Sequence, residues 1–310
     1  MKKVANSLIF IFTSVLSFGQ ITVTNTQTPS DLINNVLAGP GVTILNLTYN
    51  GTAANGTTVQ PQVGYFNSNA NGFPLDEGVI ISTGNVADAA NSAANFASTN
   101  YNGPGDVDLA TFGAGQINDA ASIEFDFIPV GDSVSFNFIF ASEEYPNYAP
   151  PLGGINDVFG FFLSGPGITG PYSNGAENIA ILPNGDVISI NNINPVTNNT
   201  FYVSNAGGTT NTYGGRSTVL TTILPNLLIC GETYHFKIVL ADAVDYGFDT
   251  AIFLEANSFT SSGAAISIIP ATSNGVPLVN NELYEGCTGA QIVMVNPDGY
   301  TDSTYVVNII

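Results

Sequence analysis

The sequence predicts a mainly β chain: a two-sheet β-sandwich with jelly-roll or Greek-key connections, one short N-terminal helix, and part of a second β module. Three observations predict it. In VSFNFIF, Val134, Phe136, Phe138 and Phe140 alternate with Ser135 and Asn137, the period-two pattern of a half-buried strand. Tyr234, Phe236, Ile238 and Leu240 alternate in the same way with Thr233, His235, Lys237 and Val239. The remaining apolar runs are short and are separated by clusters of Gly, Pro and Asn, which punctuate strands rather than helices.

In chain order, Lys2 and Lys3 precede an apolar run from Leu8 to Phe18, and then Gly19. That order of basic, apolar and small residues predicts a secretory signal peptide over residues 1–19. The run is too short for a membrane span, which takes about 20 residues. Next comes ITVTNTQTP, read as an edge strand. In DLINNVLAG the residues Leu32, Ile33, Val36 and Leu37 recur at helical spacing, with Thr28 or Ser30 as cap, Asp31 near the positive end and Gly39 as stop. Strands are expected at Val42–Leu47, Gly78–Thr83, Ile123–Ile128, Phe159–Leu163, Asn178–Leu182, Val187–Ile190 and Ala251–Ala256. The small, polar stretch from Thr83 to Gly115 reads as a long loop, with a short helix over Ala87–Ala97 as the alternative.

Charge narrows the function. The chain has 24 acidic and 4 basic residues, a net charge of −20, and charged residues make up only 9% of it. Removing Lys2 and Lys3 leaves 2 bases against 24 acids, or −22. Nucleic acid is excluded as a partner, since phosphate binding draws on clustered Lys and Arg. Hard cations would be attracted. The roughly 290 residues left after processing suit one large β domain or one and a fraction. With only Cys230 and Cys287, any disulfide is an accessory to the fold.

Two acidic loops follow two of the strongest strands. ASEEYPNYAPPLGGINDVF places Glu143, Glu144, Asn156 and Asp157 between one pair of strands, and ADAVDYGFDTAIF places Asp242, Asp245 and Asp249 between another. Two such mouths at one end of a sandwich would make a site. Calcium suits it, because Ca²⁺ takes six to eight oxygen ligands from carboxylates, amides and carbonyls. The competing reading is that these acids cap turns and accept local backbone hydrogen bonds. Glu143 and Glu144, being adjacent, point to opposite faces if extended, so only one can join Asp157. Asp106, Asp108 and Asp126 are secondary candidates, and GDVDL does not continue into the D-x-D-x-D-G pattern of an EF-hand.

FIFASEEYPNY, NDVFGFFLSGPG and TYHFKIVLADAVDYGFDTAIFLEANSF resemble the choice-of-anchor L domain family of bacterial surface proteins, common in the Bacteroidetes. The upstream GVIISTGNVADA, GPGDVDLATFG and DAASIEFDFIP fit the same order of segments. Where the family usually reads FDSAVFLEA, this chain has Phe248, Asp249, Thr250, Ala251 and Ile252, which keeps the carboxylate and a hydroxyl. The resemblance implies a secreted or cell-surface protein and transfers no biochemical activity. It divides the chain into the signal peptide, a choice-of-anchor L-like sandwich over residues 20–260, and residues 261–310, which resemble the opening of a Calx-β or immunoglobulin-like module. The sequence stops within an apolar run at Ile310, so further C-terminal modules are expected to be missing.

The expected function is therefore non-catalytic: a secreted or surface adhesion module with calcium-ordered acidic loops. Its candidate partners are extracellular glycans or surface proteins. The alternatives are a lectin-like carbohydrate-binding module or an extracellular glycan hydrolase, for which Tyr145, Tyr148 and Tyr246 are the ring-stacking candidates beside the acids. No catalytic residue is assigned. His235 is the single histidine and reads as an outward strand residue. No G-x-S-x-G occurs, zinc lacks a ligand set, and GPGITG lacks the lysine of a phosphate loop.

Overall fold

The structure is a computed structural model and describes residues 19–53, 58–90, 96–224 and 228–261, together with a short ladder of 265–267 on 293–295. The expected signal peptide, Cys287 and most of the second β module lie outside the described residues. Two sheets form, and neither closes into a barrel. One runs β1 (Thr22–Thr24), β4 (Val63–Asn67), β5 (Glu77–Ser82), β15 (Thr250–Glu255), β7 (Val134–Ser142), β12 (Gly215–Ser217), β11 (Tyr202–Ser204), with β13 (Leu220–Leu224) also pairing β7. The other runs β10 (Ile188–Ser189), β8 (Val158–Ser164), β14 (Tyr234–Ala243), β6 (Ile117–Pro129), β2 (Val42–Tyr49), β3 (Thr52–Ala53), with β9 (Glu177–Asn178) on β8. Their pairings are antiparallel.

The alternating strands explain the layering. Val134, Phe136 and Phe138 of β7 are buried between the sheets, whereas Ser135 and Asn137 are only half-buried. Phe161 of β8 is the hub of the interior. Its ring centroid lies 4.3 Å from Phe136, 4.4 Å from Phe159, 5.2 Å from Phe138 and 5.4 Å from Phe236, mostly in edge-to-face contacts. Such pairs add about 0.5–1.5 kcal/mol each beyond the area they bury.

The helix starts where the sequence places it. Thr28, not Ser30, is the cap: its hydroxyl accepts the Asp31 N–H at 3.1 Å, while the Asp31 carboxylate accepts the Thr28 N–H at 3.3 Å, a reciprocal capping box. One α turn, Pro29–Leu32, passes into a π-helical turn, Ile33–Leu37, and Leu32, Ile33 and Leu37 are buried against the core. In the long loop after Thr83 there are two 3₁₀ turns, Val86–Ala90 and Leu109–Phe112. Strand pairing in the 178–190 region is shorter than the apolar runs predict, because Asn178 Oδ1 accepts the N–H groups of both Phe161 and Ala180 at 3.1 Å and so displaces the ladder.

Three connections cross from one sheet to the other at the same end: β5 to β6, β7 to β8, and β14 to β15. At the opposite end β7 starts beside the segment by which the chain leaves the sandwich, with Ser135 bridged to Thr260 and Gly131 N–H donating to the Ser261 hydroxyl.

Candidate functional site

The crossing end gathers the acids. β7 ends at Ser142 and feeds Glu143 and Glu144; β8 opens directly after Asp157; Asp242 closes β14; Asp249 precedes β15. Strand pairing fixes their neighbourhood, since Ser142 stands opposite Thr250 and Ala241 opposite Val158. Glu144, Asp157, Asp242 and Asp249 are all buried, at 2%, 1%, 1% and 0% exposure. Four buried carboxylates with no basic side chain among their hydrogen-bond partners are costly unless protons or a cation compensate.

Each acid is served differently. Asp157 Oδ1 accepts the Ala243 N–H at 2.9 Å and Oδ2 the Thr250 hydroxyl at 2.5 Å. Asp249 takes the Thr99 N–H on both oxygens, at 3.1 and 3.0 Å. Gly84 lies so close to it that a Cβ there would stand 2.0 Å from Asp249 Oδ2. Asp242 has neither oxygen partnered. The Thr83 hydroxyl is close enough to oppose the rise in the Asp242 pKa, and donates to Thr250 O at 3.4 Å.

Burial is the main cause of the shifted acidities. It lifts Asp157 to about 7 against the Thr250 and Ala243 donors, with Asp245 adding to the rise. Asp249 rises to about 8 through burial, opposed by Thr99 and reinforced by Asp88 and Asp157. Asp242 is pushed well above the carboxylate range by burial and then by Asp157, with Asp249 and Asp119 contributing. Glu144 rises to about 8 by burial and the charges of Asp157, Asp245 and Glu143.

Glu143 and Glu144 lie in the turn that follows β7, outside any strand, and face different neighbours. Glu144 belongs with Asp157 and Asp245, whereas burial raises Glu143 to about 7 against the nearby Gly214 N–H, and its Oε2 is buried without a partner. Asn156 Oδ1 is committed to the Asn191 N–H at 2.8 Å. Asp245 is exposed, and its Oδ1 accepts the Gly247 N–H at 2.9 Å, a local turn contact. Among the described residues, no three acidic, His or Cys side chains converge as they stand in a geometry that would hold a metal ion.

The aromatic candidates divide. Tyr145 is 2% exposed, its hydroxyl donating to Ile193 O and its ring packed on Tyr202 at 5.1 Å, so it serves the core and offers no face to a ligand. Gly215 makes room for it, since a Cβ there would lie 2.8 Å from the Cβ of Tyr145. Tyr148 is 47% exposed and packs beside Phe248 at 5.4 Å. Tyr246 is half-buried in the same turn as Asp245.

The secondary acids serve another face. Lys237 Nζ lies 2.5 Å from Asp106 Oδ2 and 2.9 Å from Asp108 Oδ2. His235 sits between Asp126 at 2.9 Å and Glu124 at 3.2 Å, and Asp126 also accepts from Asn46 at 2.8 Å. These are ion pairs on the outer face of the second sheet, away from the mouth.

Sequence reasoning missed several contributors. Asp119, 1% exposed, accepts the N–H groups of Tyr101 and Gly103 and so ties the long loop to the crossing end. Asn118 Nδ2 holds the 242–249 turn by donating to Asp245 O at 3.0 Å. The available signal was an Asn-Asp pair at the start of an otherwise apolar strand.

The sequence model of the choice-of-anchor L domain family matches residues 21–260, the whole of this sandwich. The chain belongs to the choice-of-anchor L domain family. Membership points to a surface-anchoring or surface-binding module in a secreted or surface protein. No curated protein and no solved structure matched the chain. No helix among the described residues is long and apolar enough to cross a membrane. Within this choice-of-anchor L domain the mouth of crossing loops holds the buried carboxylate oxygens that lack partners among the described residues, on Glu143, Glu144 and Asp242.

Proposed function

We propose that this choice-of-anchor L protein is a non-catalytic secreted or cell-surface adhesion module whose acidic loops are ordered by calcium. The observation that carries the reading is Asp242, whose two buried oxygens have no hydrogen-bond partner. A buried carboxylate in that state is stable only when protonated or when it ligates a cation. The donor set fits a hard ion, being entirely oxygen. Asp157 and Asp249 retain acceptor capacity beyond the hydrogen bonds they accept, because a carboxylate offers about four lone-pair sites. Asp242 would be the central ligand, and Asp157 and Asp249 would move modestly to join it. Asp245 and Glu144 stand at the outer side, while Asn156 is turned to Asn191 and Glu143 toward Gly214.

Calcium here would supply charge compensation, joining two sheet-crossing connections, β7 to β8 and β14 to β15, whose acids otherwise repel one another. The test is thermal melting of the full chain in millimolar calcium and in EDTA. The expected result is a higher melting temperature with calcium, and identical melts would remove the metal from the proposal. Turnover of a polysaccharide that is abolished by Glu144→Gln would replace this reading with the hydrolase.

A further inference from the structure

Beside the buried acids, a cleft of about 190 Å³ opens to solvent, lined by Ser98, Glu144, Tyr148, Asp245, Gly247 and Phe248. Its chemistry is divided into two halves. One wall is aromatic: Phe248 packs on Tyr148 at 5.4 Å and on Phe96 at 5.3 Å, and Phe96 is 61% exposed. The other wall is anionic. Glu144 is 2% exposed, lines the cleft, and has Oε2 buried without a partner.

We propose that this cleft receives a lysine or arginine side chain from a partner protein, with Glu144 and Asp245 taking its charge and Tyr148 and Phe248 covering its stem. An ammonium or guanidinium is attracted both to carboxylates and to aromatic faces, so a cleft made of the two selects an organic cation. The volume is below the roughly 300–1,000 Å³ of pockets for drug-sized ligands, and suits one long side chain rather than a run of sugar rings. The cation must come from outside, because among the described residues both bases are engaged. Lys237 is held by Asp106 and Asp108, and Arg216 lies over the Phe73 ring at 5.7 Å while donating to Ser217 O. The net charge of −20 favours approach of a basic partner surface.

This inference rests on reading the chain as a binding module, and it names the partner chemistry. Its test is separable from that of calcium. Ac-Gly-Arg-Gly-NH₂, Ac-Gly-Lys-Gly-NH₂ and the neutral Ac-Gly-Gln-Gly-NH₂ are titrated into the full chain, in calcium and again in EDTA, with NMR shifts of aromatic protons as readout. The cationic peptides are expected to bind about tenfold tighter than the neutral one, a difference of about 1.4 kcal/mol. Phe248→Ala and Glu144→Gln, each checked for an unchanged fold by circular dichroism, should each remove most of that preference, and Phe248→Ala should keep the calcium-dependent melting shift. Equal binding of the three peptides, full displacement of the cationic peptides by calcium, or preference for a methyl glycoside over them would each overturn the proposal. Loss of the calcium shift with the peptide preference intact would remove only the metal.

Discussion

Asp157 and Asp242 lie within electrostatic reach of each other in the same buried mouth, yet Asp157 accepts two hydrogen bonds and Asp242 accepts none. The difference comes from their places on the strands. Asp157 immediately precedes β8, beside the last residues of strand β14, and meets Ala243 N–H and the Thr250 hydroxyl, whereas Asp242 sits at a register shift of β14 against β6, between Leu240 and Asp242. The pair thus combines a fixed acid with an unsatisfied one.

Asp242→Asn should stabilise the metal-free protein near neutral pH by about 1–3 kcal/mol, because it removes a buried group that must otherwise take up a proton on folding. The gain should shrink toward pH 5, where the wild-type carboxylate is more readily protonated in the unfolded chain. The same variant should lose the calcium-dependent rise in melting temperature. Denaturant titrations at the two pH values, with calcium and with EDTA, check both.

Metal-free stability should fall as pH rises. Asp157 and Glu143 at about 7, and Asp249 and Glu144 at about 8, are raised in the folded state. Unfolded Asp and Glu titrate near about 4, so between these values the folded chain binds more protons than the unfolded one. Their contribution is fully present below the unfolded values and is lost as pH climbs through the folded ones, by up to about 1.4 kcal/mol per pH unit for each group titrating. Urea midpoints in EDTA should therefore decline from about pH 5 to about pH 8 and then level off. A rising profile over that window would contradict the buried cluster.

His235 gives a smaller effect of related sign. Glu124 is the first cause raising its pKa and Asp126 assists, against burial. Its stabilisation is present below the unfolded value and fades as pH rises through the folded one. Its side chain is 35% exposed, so solvent screening keeps the effect of His235→Gln to about 0–1 kcal/mol in mildly acidic buffer. Above the folded value, the variant and wild type should melt alike.

Phe161→Ala should cost about 3–5 kcal/mol, because the ring touches both sheets and the cavity cannot collapse between them. Chemical denaturation should show it as a lower midpoint with an unchanged slope.

Much of the scaffold is legible in the chain, because period-two patterns decide which face of a strand is buried. Val134 to Phe138 and Tyr234 to Leu240 lie as their alternation requires. What cannot be read is how distant segments meet. Tyr145 was a ring-stacking candidate by its nearness to the acids, but Gly215, some 70 residues later, clears the space that draws its ring inward. Asp119 belongs to the mouth only because β6 begins there, a pairing that spacing does not reveal. Likewise, turn chemistry accounts for Asp245 while tertiary burial accounts for Asp242, although the two are three residues apart.

The sandwich is also polar along its length. Strand β7 runs from Val134, beside Thr260 and Ser261, to Ser142 at the acidic mouth, a span of 9 residues. At about 3.3 Å per residue that sets the mouth roughly 30 Å from the point where the chain leaves the fold. The strand therefore holds the cleft at the end of the sandwich farthest from Ser261, so that a partner approaching the cleft does not meet the exit of the chain.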